Sequence, residues 1–162
     1  ISAGIVILTL MITTWEQVGH WKNSITIFKH TIKVTDKKYP NLAIVHNNLG
    51  IALFAEQKNE EAISNFRIAI KLLPNEMKAH YNLAIALVTE RKIVEAIFHY
   101  KMAIKLKPYF TDAHYNLGII LLQKGEVKEA VHHFRETLRL RPSFFEARDY
   151  LELAMLKLRE IE

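Results

Sequence analysis

The chain of 162 residues contains no cysteine, so disulfides, thiolate zinc sites and cysteine nucleophiles are excluded. That absence leaves the compartment open, because proteins outside the cytoplasm can also do without cysteine. Turn-formers are scarce: five Gly and four Pro are too few for an all-β sandwich with a hairpin about every ten residues. Helices are favoured instead. There is no concentrated basic block either. The 22 Lys and Arg are dispersed among 17 Asp and Glu, and a net charge of +5 is modest for this length, which argues against a nucleic-acid partner. No Gly-rich phosphate loop, Gly-x-Ser-x-Gly elbow or His-Glu-x-x-His segment occurs, and Glu60-Glu61 reads as ordinary helix-start charge. The expectation is a non-catalytic chain with no cofactor, and half of its residues are hydrophobic, enough for a sizeable core.

Charge is missing altogether from Ile1 to Thr14. About 20 apolar residues are needed to span a bilayer, so this run is short; it is expected to be the end of a membrane-spanning helix, with Trp15 and Trp21 at the interfacial belt. A buried first helix is the alternative, although Gly4 to Ile12 lacks the polar face such a helix would show. No basic leader or small-residue cleavage site marks a secretory signal.

What the sequence does have is a period of 34 residues. Pro74, Pro108 and Pro142 close the phrases Ala69-Ile-Lys-Leu-Leu-Pro74, Ala103-Ile-Lys-Leu-Lys-Pro108 and Thr137-Leu-Arg-Leu-Arg-Pro142 at that step. Upstream, Val45-His-Asn-Asn-Leu-Gly50, Ala79-His-Tyr-Asn-Leu-Ala84 and Ala113-His-Tyr-Asn-Leu-Gly118 recur with the same spacing. Between them lie Glu61-Ala-Ile63, Glu95-Ala-Ile97 and Glu129-Ala-Val131, each alanine followed four residues later by Phe66, Tyr100 or Phe134. Small residues at Gly50, Ala84, Gly118, Ala62, Ala96 and Ala130 allow two helices to approach closely, with the aromatic ring beside them. Each Pro ends the second helix, because it cannot continue the hydrogen-bond ladder and drives the preceding residue out of helical geometry. Apolar residues three and four apart, such as Ile63, Phe66, Ile70 and Leu73, give one buried stripe per helix. Helical hairpins follow from this periodicity alone.

These phrases resemble the tetratricopeptide repeat (TPR), whose pattern sets Leu-Gly in the first helix against Ala, an aromatic, Ala and Pro in the second. The resemblance implies an all-α fold, a right-handed TPR superhelix or α-solenoid of antiparallel helix pairs. Three full repeats are assigned to residues 43–76, 77–110 and 111–144. Thr137 departs from the usual Ala, and Gln57 and Arg91 stand in the turn where Gly125 is usual. Residues 145–162 read as a C-terminal capping helix, with Glu152 in place of the small packing residue. Residues 21–42 read as a degenerate second helix, carrying Ser24 and Phe28, plus an irregular linker around Lys37 to Asn41; residues 1–20 form the apolar helix.

Eight histidines raise the question of a metal, and His46, His80 and His114 share the 34-residue step. Equivalent residues on stacked units sit about 8–10 Å apart, too far for one zinc ion, and the adjacent His132 and His133 point about 100° apart on a helix. No metal site is expected. Arg67, Lys71, Lys101, Lys105, Arg135 and Arg139 fall late in the second helices, where cations complement the helix dipole; contact with an anionic surface or partner is the functional alternative.

Asn48, Asn82 and Asn116 form a ladder one position before each Leu-Gly or Leu-Ala step. An amide both donates and accepts, so it can pair with any peptide backbone. The resemblance implies that first helices line a concave groove, and the superhelix of O-GlcNAc transferases holds extended polypeptide with such a ladder. Stabilising contacts between helices are the equally open alternative. Neighbouring groove candidates are Asn47, Tyr81 and Tyr115, then Ile51, Ile85 and Ile119, then Lys78 and Asp112. The Lys and Asn of a carboxylate clamp for Hsp90-type tails are not reproduced, since Asn47 and Ile51 stand there.

The function expected from this set is a scaffold that binds a protein or peptide in its groove, as the tail of a larger membrane protein. A homo-oligomerising assembly scaffold is one alternative. The other is an accessory domain of a membrane glycosyltransferase, because the stretch Thr14 to Ser24 resembles the junction of O-mannosyltransferase-type membrane proteins with a C-terminal TPR tail. Membrane association through the N-terminal segment is expected with its side open: Lys22, Lys29, Lys33, Lys37 and Lys38 favour the cytoplasm and the glycosyltransferase likeness favours the exterior. The isolated repeats are expected to be soluble.

Overall fold

In the computed structural model of the chain, residues 24–35 and 41–161 are described. The apolar segment 1–20, its tryptophans and most of the expected linker insertion lie outside them. Eight helices and no strand occur among the described residues: α1 Ser24–Val34, α2 Asn41–Ala55, α3 Asn59–Leu72, α4 Met77–Thr89, α5 Ile93–Leu106, α6 Thr111–Gln123, α7 Val127–Leu140 and α8 Phe145–Ile161. None of these helices is long and apolar enough to cross a membrane. The fold is an all-α array of helix pairs. Two compact units divide it, one ending at Leu73 and the other starting at Pro74.

In the first unit α2 packs against α1 and α3. Leu42, Ala43, Leu49 and Leu53 of α2 are buried with Ala62, Ile63, Phe66 and Ala69 of α3. The approach at Gly50 is close enough that a β-carbon there would lie 2.5 Å from the Phe66 ring. In the second unit α4 pairs with α5 and α6 with α7; α6 also packs on α5, and α8 on α7. Its core centres on Leu117, Leu121, Ala130 and Phe134, with Tyr100 behind Ala84. A β-carbon on Gly118 would meet the Phe134 ring at 2.8 Å, repeating the arrangement at Gly50.

The turns inside the three pairs are identical in kind. Gln57, Arg91 and Gly125 adopt φ of 61°, 56° and 83°. The N–H of the following residue reaches back to the helix: Lys58 to Leu53 at 2.9 Å, Lys92 to Leu87 at 2.8 Å and Glu126 to Leu121 at 2.8 Å. This is the Schellman closure, which satisfies the last carbonyls and requires a left-handed residue. Only the third turn meets that requirement with glycine.

Second helices stop two residues before each proline, at Leu72, Leu106 and Leu140. Leu73, Lys107 and Arg141 have ψ of 87° to 89°, extended as a residue preceding Pro must be, while their N–H groups still bond Ala69, Ala103 and Thr137. Thr137 is fully buried, and its hydroxyl donates to the His133 carbonyl at 2.9 Å, so the departure from Ala leaves no orphaned polar group.

Candidate functional site

The first helices of the second unit bring several of the anticipated groove residues together. Asn116 on α6 donates from Nδ2 to the Tyr81 hydroxyl on α4 at 3.1 Å. Tyr81 is wedged against Phe110, 4.6 Å between ring centroids, and edge-on to Tyr100 at 5.9 Å. Beside this pair lies a cavity of about 250 Å³ lined by Ile85, Val88, Tyr100, Asn116, Ile119 and Ile120, with Thr89 at its edge. Its floor is apolar and one wall offers an amide, the mixture that grips a peptide side chain while orienting its backbone. Burial, and then the Asp112 carboxylate, raise the Tyr81 hydroxyl above the usual tyrosine range, so it stays a neutral donor and acceptor.

Tyr115, the equivalent of Tyr81 one repeat later, stacks near Phe144 at 4.6 Å and meets Tyr150 at 5.9 Å. Burial, then Tyr150 and the carboxylates Glu146 and Asp149, raise its hydroxyl. Asn82 is half-buried and does not line the cavity. Asp112 is engaged by Arg141 at 3.0 Å, and Lys78 is exposed at the start of α4. In the first unit Asn47 is buried, Asn48 is half-buried with its Oδ1 3.5 Å from Asn47 Nδ2, and Ile51 is exposed. The ladder is therefore not uniform in exposure: Asn48, Asn82 and Asn116 are half-buried, and the neighbouring Asn47 has little surface to offer a ligand.

A second constellation escaped the sequence reading. Each histidine of the 34-residue series faces the residue nineteen positions later on the partner helix. His46 Nδ1 lies 2.9 Å from Asn65 Oδ1, His80 Nδ1 2.9 Å from His99 Nδ1, and His114 Nδ1 3.0 Å from His133 Nδ1. His80 and His114 also donate from Nε2 to the Pro74 and Pro108 carbonyls, both at 3.0 Å. The recurrence of Asn65, His99 and His133 was visible in the sequence, but the register that joins them to the first series is set by the length of the turn. Among the described residues no group of three or more His, Asp or Glu is arranged to hold a metal.

The basic series is solvent-facing throughout. Lys101 bridges to Glu129 at 3.1 Å and Arg139 to Glu136 at 2.9 Å, exposed pairs of small energetic value.

A tetratricopeptide repeat model matches residues 111–144, and a second TPR-repeat model matches residues 92–125. The chain carries tetratricopeptide repeats. A crystal structure of MamA superposes with a TM-score of 0.74 at 25% identity, covering 80% of this chain and 74% of that one. The first TPR of Spaghetti (RPAP3) bound to the HSP90 peptide SRMEEVD gives a TM-score of 0.69 at 25% identity over 72% of this chain and 93% of that one. The first TPR domain of human RPAP3 matches at 0.69 and 24% identity, covering 75% and 96% of the respective chains, a likeness of fold. No curated protein matches the chain. Tetratricopeptide repeats are non-catalytic protein-interaction modules, and this chain is accordingly an interaction scaffold rather than an enzyme.

Proposed function

We propose that the scaffold captures an extended segment of another protein against the first helices of its second unit. The observation that carries this reading is the cavity beside the Asn116–Tyr81 hydrogen bond, where an amide with donor and acceptor atoms borders an apolar floor formed by Ile85, Ile119 and Ile120. A side chain of the captured segment would fill the cavity and its backbone would pair with the amides of Asn82 and Asn116. The likeness to a TPR seen with a bound peptide supports the class of partner, though not its sequence. Asn47 and Ile51 supply no cation for a terminal carboxylate, so an internal segment suits the face better. Attachment to a membrane as the tail of a larger protein rests on the uncharged run Ile1 to Thr14 and on Trp15 and Trp21.

The test is binding of an unstructured peptide library to the native chain and to the Asn82→Ala and Asn116→Ala variants. Capture on this face predicts at least about a fivefold loss for Asn116→Ala with no loss of fold, since one good hydrogen bond is worth about 1 kcal/mol. Unchanged binding in both variants would refute it.

A further inference from the structure

The solvent-facing stripes of the three second helices can be compared position by position. In α3 the stripe reads Glu60, Ser64, Arg67, Lys71, and in α7 it reads Lys128, His132, Arg135, Arg139. In α5 it reads Val94, Phe98, Lys101, Lys105. The last two positions are basic in all three, but only α5 opens with apolar residues, and these are 76% and 57% exposed. The polar residues in the sibling helices show that the fold has no need of Val94 and Phe98 there. An exposed aliphatic–aromatic pair with lysines one and two turns further along the same face has the make-up of an interaction stripe.

The complementary surface lies on the same chain. Residues of α8 on one helical face are Phe145, Asp149, Glu152, Leu153, Leu156 and Glu160. Leu153 is 44% and Leu156 57% exposed, and every charge on the stripe is acidic. Leu153 and Leu156 are left uncovered by every other described helix. A further second helix of the usual kind cannot cover it: Glu152 occupies the position of Gly50 and Gly118, where an aromatic ring already lies within 3 Å of a bare β-carbon site. Among the described residues Lys105, Asp149, Glu152 and Glu160 make no ion pair within the chain, so both stripes hold uncommitted charge of opposite sign.

We infer that the chain associates head to tail with a second copy of itself, the α5 stripe of one copy seated on the α8 stripe of the next. Phe98 and Val94 pack among Leu153 and Leu156, and Lys105, the cation of the stripe not already paired as Lys101 is with Glu129, faces the acidic residues. Because the two stripes are different surfaces, the contact is heterologous, and it continues from copy to copy unless the rotation closes a ring. Each contact is a single helix against a single helix, small enough to be transient and salt-sensitive.

Sedimentation velocity on the full chain over about 10 μM to 1 mM reads this directly. The expected result is an average mass that climbs continuously with concentration and falls with added salt. Val94→Glu with Phe98→Ser installs the residues that α3 carries at the same positions, and Glu152→Lys with Leu156→Lys blocks the other stripe; each is expected to sediment as a single copy. Mixing the two blocked variants is expected to give pairs and nothing larger, since only one open stripe of each kind remains. Lys105→Glu, an exposed change, is expected to weaken association about tenfold and serves where a double variant loses helicity. A wild-type chain that stays single throughout, association that survives either block, or a mixture that forms no pairs would each overturn the proposal. Asn116→Ala is expected to leave assembly untouched, which separates this contact from peptide capture.

Discussion

The Nδ1 atoms of His114 and His133 lie 3.0 Å apart, and only one hydrogen fits in that gap. His114 must donate from Nε2 to the Pro108 carbonyl, which can only accept, so its Nδ1 is bare and receives the proton of His133. A second proton on His114 would set N–H against N–H.

Acid should therefore weaken the second unit. Burial, followed by His114 and His132, lowers the His133 pKa to about 4, against smaller opposed effects of Glu129, which raises it, and Lys101, which lowers it further. The unfolded chain binds a proton near pH 6.5, so it holds more protons than the folded chain between those values. Stability is complete above about pH 6.5 and is lost as the pH falls toward 4, by about 2 kcal/mol for this one group. Urea unfolding at pH 7.5 and pH 4.5 measures the loss. His133→Asn, which copies the Asn65 that faces His46, should flatten the profile, because an amide oxygen accepts from a charged imidazole.

A methyl group at Gly118 should cost about 1–3 kcal/mol, the usual penalty for overpacking a core, because the Phe134 ring it would strike is fully buried and has nowhere to retreat. Gly50→Ala should behave alike against Phe66. Thermal unfolding provides the check, and an unchanged midpoint would mean that the helices can part at no cost.

The turns predict gains rather than losses. Gln57 and Arg91 hold left-handed geometry without the freedom of glycine, so Gln57→Gly and Arg91→Gly should each stabilise by up to about 1 kcal/mol. Gly125→Gln should lose a similar amount purely through backbone strain, since nothing lies within 4 Å of a β-carbon built there.

Tyr81→Phe removes the acceptor that holds the Asn116 amide. A stability loss of about 0.5–1.5 kcal/mol is expected, together with weaker peptide capture as the amide becomes free to rotate. If stability falls while capture is unaffected, the amide serves the helix packing alone.

Much of this architecture could be read from spacing. Pro74, Pro108 and Pro142 mark where second helices end because a residue before proline is barred from helical geometry, a rule that needs no tertiary knowledge. The small residue and aromatic ring of each pair were legible for the same reason: Gly118 and Phe134 fit one another by volume. The histidine pairs were not, since joining His80 to His99 requires the register of two antiparallel helices, which depends on three turn residues and not on period. Burial also separates residues that the sequence treats as equivalent, for Asn47 is enclosed while Tyr81 and Tyr115 at the matching positions remain partly open. The stripes on α5 and α8 illustrate a further limit: Val94 and Phe98 look like core residues by composition, and only the direction of the helix shows that they face water.

Glu152 also sets where the array can be lengthened. A carboxylate at the seat otherwise kept for glycine or alanine leaves α8 no socket for an aromatic of the usual kind, so a standard module spliced directly behind it would pack poorly, whereas copies inserted ahead of Phe145 inherit a complete seat. Anyone wishing to build a longer array from this chain should cut at residue 144, or first replace that one acidic side chain.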